Sequence, residues 1–400
     1  MIGVIADDLT GAAELGAVGL RHGLSAEVVA NGKPSGEVDL VCVDTDSRAQ
    51  SPQEAARRVT AAVKMLQQTG AEWIYKKVDS VLRGQVTAEV EAMMQQLGFE
   101  RALLAPANPS LGRTIQGGKY FIRGKLIHKT EFVRDPQFPR LSPRVLELLK
   151  TPQTFPIGIS TLQDALPEKG IVLAEASSPQ DVRQWADRRD PAMVLAGGAE
   201  FFGALLESGT GVPPVNFDAA NNEPVGSHGR DARATPAGRE FFVSGSSTVV
   251  ARKFATAARR EKTPVFSLPL ELAWGANLLP EVSAAIGQRI VSAFDSHPRV
   301  ILTVGLPPVR NALVSQGLSG HVVQIAESAL RRLDVGRVYA DGGATAAELV
   351  WRMGWSRMKV MRELAPGVAT LSVAGAKSLL LTIKPGSYEW PAQWTRCGVI

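Results

Sequence analysis

Two adjacent carboxylates, Asp7 and Asp8, directly follow a short apolar run at the start of the chain. The run Ile2–Ala6 predicts a buried strand, and Thr10, Gly11 and a helical pattern follow the two aspartates. In an open α/β sheet, ligands bind outside the carboxyl ends of the strands. Successive residues of extended chain point to opposite sides, so we expect one aspartate to face a ligand and the other to cap the helix. The alternative is that both carboxylates only cap the helix and face solvent.

Charged residues also follow the next two predicted strands. Thr-Asp-Ser-Arg at 45–48 follows the strand 40–43, and KKVDSVLRG at 76–84 follows the strand that begins at Trp73. Parallel strands bring their carboxyl ends to one edge, where the candidate ligand-binding residues are Asp7, Asp8, Arg48, Lys77, Asp79, Ser80 and Arg83. Arginine and lysine bind carboxylate or phosphate, whereas aspartate and serine bind hydroxyls. This combination suits a polyhydroxy acid, and the alternative is ordinary surface charge.

A loop rich in proline and glycine follows the fifth predicted strand at 106–114. Its Arg113 is within reach of the same edge and is a further candidate for binding an anion. The alternative is a structural turn that carries an exposed arginine. Gly112 and Gly117 have the spacing of a Walker A motif, but Gly118 stands where the lysine belongs, which excludes a P-loop.

Serine- and glycine-rich turns follow strands in the second half of the chain. Backbone amides at the start of a helix bind phosphate, so these turns predict a nucleotide cradle, although each turn alone is a common feature. The candidate residues are Ser244, Ser246, Gly342, Gly343, Thr345 and Gly386. No G-x-G-x-x-G follows a predicted strand, no G-x-S-x-G occurs, and the histidines have no metal-ligand spacing. These absences disfavour a dinucleotide cofactor, a hydrolase triad and a protein-bound metal.

The elements that position these residues alternate between strands and helices, which predicts an α/β fold. We expect two α/β domains with mainly parallel sheets and a ligand cleft between them. The predicted parts are a domain of residues 1–206, an irregular segment 207–239 with an exposed insert at 220–238, and a second domain of residues 240–400.

Composition indicates an ordinary globular protein of 400 residues with 45% hydrophobic residues and a net charge of +5. The positive charges are interspersed with acidic ones, which suits small anions and disfavours a nucleic-acid surface. Cys42 and Cys397 are the only cysteines and match no metal or redox spacing, so a reducing cytoplasm is expected. The aspartates near the N-terminus disfavour a signal peptide, and no apolar stretch predicts a membrane span.

Several of these segments together resemble the four-carbon acid sugar kinase family, once catalogued as a domain of unknown function. The matching segments are IADDLTGA at 5–12, TDSR at 45–48, KKVDSVLRG at 76–84, PANPSLGRT at 106–114 and HKTEFVRDPQFP at 128–139, with looser matches GGAT at 342–345 and KPG at 384–386. The resemblance implies an N-terminal domain that binds the sugar acid and a C-terminal domain that binds ATP. It further implies Mg²⁺-assisted phosphorylation of the terminal hydroxyl of a threonate, erythronate or 3-oxo-tetronate type of acid.

The resemblance also assigns the candidate residues to these two sites. The seven residues at the three strand ends would bind the acid, and the six residues of the second half would bind the nucleotide. Asp8 is the candidate proton acceptor, because it lies at a strand end beside the N-terminus of a helix. Ala344 stands where the family usually has an acidic residue, and Tyr388-Glu-Trp-Pro391 replaces a glycine-rich turn. A catalytically degenerate sugar-acid-binding protein is therefore the alternative. The expected partners are the acid and ATP, without nucleic acid or membrane, and homodimer formation is left open.

Overall fold

The chain divides into two compact units, Met1–Val225 and Gly226–Ile400. A computed structural model describes residues 1–135, 137–149, 154–210, 238–246, 248–306, 312–376, 378–386 and 390. The expected insert at 220–238 lies outside the described residues apart from Gly238, and so does most of the irregular segment 207–239.

The first unit contains a parallel sheet and a small antiparallel sheet. Its strands are β1 (Ile2–Ala6), β2 (Ala26–Val29), β3 (Leu40–Asp44), β4 (Trp73–Lys77), β5 (Arg101–Ala105), β6 (Arg113–Gln116), β7 (Lys119–Ile122), β8 (Lys125–Leu126), β9 (Ile157–Ser160), β10 (Gly170–Ala174) and β11 (Met193–Gly197). Its helices are α1 (Leu9–Arg21), α2 (Pro52–Gln68), α3 (Val86–Leu97), α4 (Val145–Leu148), α5 (Pro179–Asp187) and α6 (Ala199–Thr210). The parallel sheet has the order β2-β3-β1-β4-β11-β5-β10-β9, and β6, β7 and β8 form the antiparallel sheet.

The strand register of the first unit brings the charged segments to one edge. Ala6 at the end of β1 pairs with Asp44 of β3 on one side and with Lys77 of β4 on the other. The residues that follow these strands therefore start at the same level, as the sequence predicted. Most residues of these strands are buried, as expected for parallel strands that helices cover on both faces.

The second unit has a mixed sheet of the order β13-β14-β12-β15-β18-β17-β16. Its strands are β12 (Glu240–Ser244), β13 (Val265–Ser267), β14 (Arg299–Thr303), β15 (Arg337–Asp341), β16 (Arg357–Ala365), β17 (Val368–Val373) and β18 (Leu380–Lys384). Its helices are α7 (Val249–Arg260), α8 (Pro280–Ala293), α9 (Ala312–Leu330) and α10 (Gly343–Met353). The first five strands in this order, which are β13, β14, β12, β15 and β18, pair in parallel with their neighbours. β17 is antiparallel to both β18 and β16.

The α/β class and the mainly parallel sheets are confirmed. Three strands, β6, β9 and β16, were not predicted. The sequence predicted a loop at 106–114, whereas β6 begins at Arg113. β9 is an edge strand that is only partly buried, so its apolar run is short. β16 alternates charged and apolar residues only at 357–360, a pattern in which the single apolar positions are easily missed.

Candidate functional site

Arg48 holds the carboxylates at the edge of the first sheet together. Its Nε and Nη2 donate to Oδ2 and Oδ1 of Asp7 at 2.7 and 3.0 Å. Its Nη1 lies 2.5 Å from Oδ2 of Asp8, and its Nη2 lies 3.7 Å from Oδ1 of Asp79. Three carboxylates from two strand ends thus share one guanidinium, and all three of its nitrogens are engaged.

Asp8 and Asp7 differ in exposure and in their partners. Asp8 is the N-cap of α1, where its Oδ1 accepts a hydrogen bond from the amide of Gly11 at 2.8 Å. Its side chain is 21% exposed, whereas that of Asp7 is 2% exposed. The sequence predicted a cap on one residue and a ligand-facing carboxylate on the other, but Asp8 is both the cap and the more accessible of the two.

The two aspartates also have opposite pKa shifts. Burial and the neighbouring Asp7 raise the pKa of Asp8, and Arg48 only partly offsets them. Burial acts in the same direction on Asp7, but the bidentate contact with Arg48 outweighs it and holds the pKa of Asp7 below its usual value. Asp8 is therefore the better proton acceptor of the pair.

Asp79 and Arg83 form a second ion pair beside Arg48. Arg83 donates from Nε and Nη2 to Oδ2 and Oδ1 of Asp79 at 3.0 and 2.7 Å. Its remaining nitrogen, Nη1, donates to Oδ2 of Asp135 at 3.1 Å. Leu82 adopts a positive φ of 61°, and the amides of Val81 and Arg83 both donate to Oδ2 of Asp79. Although burial opposes it, the Arg83 contact holds the pKa of Asp79 well below its usual value.

Lys77 and Arg113 complete the predicted group. Lys77 is buried, and its Nζ lies 3.2 Å from Oε2 of Glu14 on α1. Burial opposes it, but Glu14 together with the nearby aspartates raises the pKa of Lys77. Arg113 donates from Nη1 to Oγ of Ser80, and the hydroxyl of Tyr120 donates to the carbonyl of Ser80. The eight residues predicted for an acid site therefore lie together in the first unit.

A fully buried ion pair lies behind this group. Nζ of Lys76 is 2.9 Å from Oε2 of Glu89, with side chains that are 0% and 1% exposed. Glu89 also accepts from Oγ of Ser47 at 2.5 Å, and Lys76 donates to the carbonyl of Lys77 at 2.7 Å. The pair thereby fixes the backbone next to Arg48 and Lys77 from the protein interior.

Asp44, the last residue of β3, was not among the predicted site residues. Burial, and to a lesser degree Asp8, raise its pKa to about 8. A raised carboxyl pKa stabilises the fold while the group is protonated, and this stability is lost as the pH rises from about 4 towards the folded-state value.

As the pH rises from 5 to 9, we expect the free energy of unfolding of Asp44→Asn to increase relative to that of the unmutated protein by about 1 kcal/mol or more. Urea unfolding at both pH values measures this, and an unchanged difference between the two proteins would contradict it.

In the second unit, a buried ion pair joins the ends of β15 and β18. Nζ of Lys384 lies 2.7 Å from Oδ1 of Asp341, with side chains that are 0% and 3% exposed. Oγ of Ser244, at the end of β12, donates to Oδ2 of Asp341 at 2.9 Å. Burial raises the pKa of Asp341 in spite of these two contacts. The three neighbouring strand ends are thereby fixed to one another below the glycine-rich turns.

The glycines of these turns leave space that side chains would fill. Gly342 has a φ of +107°, and the helix α10 begins at the next residue, Gly343. A Cβ at Gly245 would collide with the hydroxyl of Thr345. A Cβ at Gly386 would lie 3.3 Å from Oγ of Ser246. A helix start with small neighbours and hydroxyls suits a bound phosphate chain.

The described residues contain neither a metal cluster nor a membrane span. No group of three or more His, Cys, Asp or Glu side chains in this part of the chain could hold a metal ion. Within the same residues, no helix combines the length and the apolar character needed to cross a membrane.

Comparison with known protein families gives two matches along the chain. Residues 2–252 match the family model of a sugar-binding N-terminal domain, and residues 241–388 match that of a nucleotide-binding C-terminal domain. The chain belongs to the four-carbon acid sugar kinase family. The resemblance found in the sequence motifs is thereby confirmed.

Members of this kinase family resemble the chain over nearly its whole length. A D-threonate kinase from Salmonella typhimurium is 26% identical, and the alignment covers 91% of this chain and 89% of the relative. A 3-oxo-tetronate kinase from Pseudomonas fluorescens is also 26% identical, with coverage of 97% and 94%. The crystal structure of a Haemophilus influenzae protein, HI1011, shares the fold with a TM-score of 0.68 at 19% identity, covering 98% of this chain and 99% of that one.

Sequence reasoning missed the acidic partners of the family's basic residues. Glu14 and Asp135 pair with Lys77 and Arg83 of the acid group, Glu89 pairs with Lys76 behind it, and Asp341 pairs with Lys384. Asp135 carried a signal, because it lies in the matching segment 128–139. Glu14 and Glu89 lie within helical patterns, where an isolated glutamate gives no sign that it is buried.

Proposed function

We propose that this protein is an ATP-dependent kinase that phosphorylates the terminal hydroxyl of a four-carbon sugar acid of the threonate, erythronate or 3-oxo-tetronate type. The observation that carries the proposal is the network around Arg48, which holds three carboxylates in one place. Carboxylates accept hydrogen bonds from sugar hydroxyls, and the neighbouring basic side chains attract an anion. Family membership and the named activities of the relatives support the same reaction class.

In this proposal the first unit binds and orients the acid. The binding residues are Asp7, Asp8, Arg48, Lys77, Asp79, Ser80, Arg83 and Arg113. Asp8 accepts the proton of the attacking hydroxyl, because it is the more exposed aspartate and burial raises its pKa. Its second oxygen is held by the amide of Gly11, so the carboxylate keeps one orientation as the proton moves.

The second unit holds the nucleotide in this proposal. The binding residues are Ser244, Ser246, Gly342, Gly343, Thr345 and Gly386. The glycine-lined space and the start of α10 fit a phosphate chain, whose amide contacts would neutralise charge that develops during transfer. Mg-ATP supplies the phosphoryl group. Because no group of three or more His, Cys, Asp or Glu side chains among the described residues could hold a metal ion, Mg²⁺ would be held mainly by the phosphates, as is common for this ion.

The remaining expectations become part of the proposal. Transfer requires the two bound ligands to meet, so a cleft between domains 1–206 and 240–400, joined by 207–239, is proposed. The need for ATP favours a cytoplasmic location. Sedimentation of the purified protein would show whether it forms a homodimer.

The competing proposal is a sugar-acid-binding protein that has lost catalysis. Ala344 and the replaced turn at 388–391 favour it, whereas the Asp341–Lys384 pair and the glycine-lined space favour the kinase. Calorimetric titration with Mg-ATP, with and without a four-carbon acid, separates the two. The kinase binds Mg-ATP in at least one titration, and absence of binding in both would contradict the proposed function.

Gly343→Val is expected to abolish Mg-ATP binding while acid binding persists. Gly343 is not among the residues with positive φ, so the variant adds a branched side chain at the phosphate-facing helix start without backbone strain. Gly158→Val is the matched control, because Gly158 lies in the edge strand β9 with open space around its Cβ position. Calorimetry with both ligands measures the effect. Equal ATP affinity of the two variants would show that the start of α10 does not hold phosphate.

A further inference from the structure

The basic residues around Arg48 are already paired with protein carboxylates. Arg48 is bound to Asp7 and Asp8 through all three of its nitrogens. The same holds for Arg83, whose nitrogens are divided between Asp79 and Asp135. An acid that bound either guanidinium in a bidentate manner would have to displace a protein carboxylate, which costs part of the binding energy.

Arg113 and Arg140 differ from these residues. Within the described ranges, no carboxylate lies within ion-pair distance of either guanidinium. Arg140 is 6% exposed, and its Nε and Nη1 both donate at 2.8 Å, to the carbonyls of Phe138 and Leu82. It therefore has a structural role, since it holds the carbonyl of the strained Leu82. Arg113 is half-buried, and among the partners that the described part of the chain offers, only the hydroxyl of Ser80 binds it, through Nη1.

We infer that Arg113 and Ser80 bind the carboxylate end of the sugar acid. This inference rests on the proposed function and names the end of the substrate that this part of the site takes. The hydroxyl oxygen of Ser80 accepts from Arg113, so its own proton is available to donate to the same anion. Arg113 still has Nε and Nη2 to donate. Together they offer a carboxylate several charge-assisted or neutral hydrogen bonds without displacing a protein group.

The surroundings of Ser80 keep this pair in place. The hydroxyl of Tyr120 donates to the carbonyl of Ser80. Burial raises the pKa of Tyr120, so the phenol stays protonated and remains a donor at any pH used for assays. Arg113 begins β6, which pairs with β7, the strand that carries Tyr120. Both partners of Ser80 thus come from one small sheet.

This assignment fixes the direction of the bound acid. With its carboxylate at Arg113, the chain of the acid runs past Asp79, the residue before Ser80, towards Arg48 and Asp8. The terminal hydroxyl then lies at the Asp8 end, where the proton acceptor has been proposed. Arg113 accordingly distinguishes an acid from a neutral polyol of the same length, because only the acid carries the anion that it binds.

The inference is tested by measuring each variant with an acid and with a neutral analogue of that acid. The ligands are the acid that the unmutated protein binds best among threonate, erythronate and their 3-oxo forms, and the neutral tetritol that matches its carbon chain most closely. The variants are Arg113→Met, Arg113→Lys and, as the matched control, Arg134→Met, which removes an exposed arginine of the same unit. We measure acid affinity by calorimetry without ATP, kcat/KM for both ligands by ADP release, and thermal unfolding to verify folding.

Arg113→Met is expected to weaken acid binding about 10- to 100-fold and to leave kcat/KM for the tetritol unchanged. Arg113→Lys should restore part of the affinity, and Arg134→Met should match the unmutated protein. An equal loss of kcat/KM for the acid and the tetritol, or no loss of affinity for the acid, would overturn the inference. The calorimetric arm needs no turnover, so failure of the kinase reaction is distinguished from failure of the Arg113 assignment. If the unmutated protein binds none of these acids, both are overturned.

Discussion

Arg48→Met is expected to lower the free energy of unfolding by about 3 kcal/mol at neutral pH. It is also expected to lower kcat/KM by about 100-fold or more, because the proton acceptor loses its fixed position. The variant leaves Asp7, Asp8 and Asp79 close together without the cation that they share. The side chain of Asp7 is 2% exposed, so water cannot replace the lost partner. Chemical denaturation and steady-state kinetics measure the two effects.

The pH dependence of this loss has a definite sign. The pKa values of Asp7 and Asp79 are lowered in the folded protein, so the stability that they contribute is present above about pH 4 and is lost as the pH falls further. The gap between the unmutated protein and the variant should therefore shrink in acid. Arg57→Met is the control, since the side chain of Arg57 is 69% exposed in a surface ion pair that contributes little. Equal stabilities of the two variants would contradict the central place of Arg48.

Lys76→Met is expected to lower the free energy of unfolding by about 3–5 kcal/mol, because it leaves the buried Glu89 carboxylate without its cation. Acid affinity should fall as well, since Glu89 holds Ser47 next to Arg48, and Lys76 holds the carbonyl of Lys77. The measurements are urea unfolding and calorimetric titration with the acid.

The double variant Lys76→Met/Glu89→Gln separates lost charge compensation from lost packing. A glutamine still accepts from Ser47 but carries no charge, so much of the stability should return. Lys169→Met serves as the control, because the Lys169–Glu100 pair has side chains that are 65% and 62% exposed. If Lys76→Met destabilises no more than this control, the buried pair does not support the site.

The sequence predicted those features that depend on local pattern. Apolar runs that end in charged residues marked β1, β3 and β4, and the parallel register then brought Asp7, Arg48 and Asp79 to one edge. The serine- and glycine-rich turns were found for the same reason, since each directly follows a strand. What could be predicted was therefore which residues lie at the strand ends.

Pairing between distant residues could not be predicted in the same way. Asp135 reaches Arg83 across 52 positions, and Lys384 reaches Asp341 from another strand. Nothing in the local sequence shows that such groups are buried or which partner they take. The engagement of Arg48 and Arg83 by carboxylates follows from these contacts, and so does the distinction between them and Arg113.

The most direct test of the kinase proposal combines ADP release with identification of the product. The unmutated protein is incubated with Mg-ATP and a panel of threonate, erythronate and 3-oxo-tetronate acids, and the phosphorylated carbon is located by phosphorus–proton NMR. The proposed kinase activity predicts ADP release that depends on at least one of these acids, with the phosphate on the terminal hydroxyl. ADP release without acid, a phosphate at another position, or no acid-dependent release across the panel would contradict it.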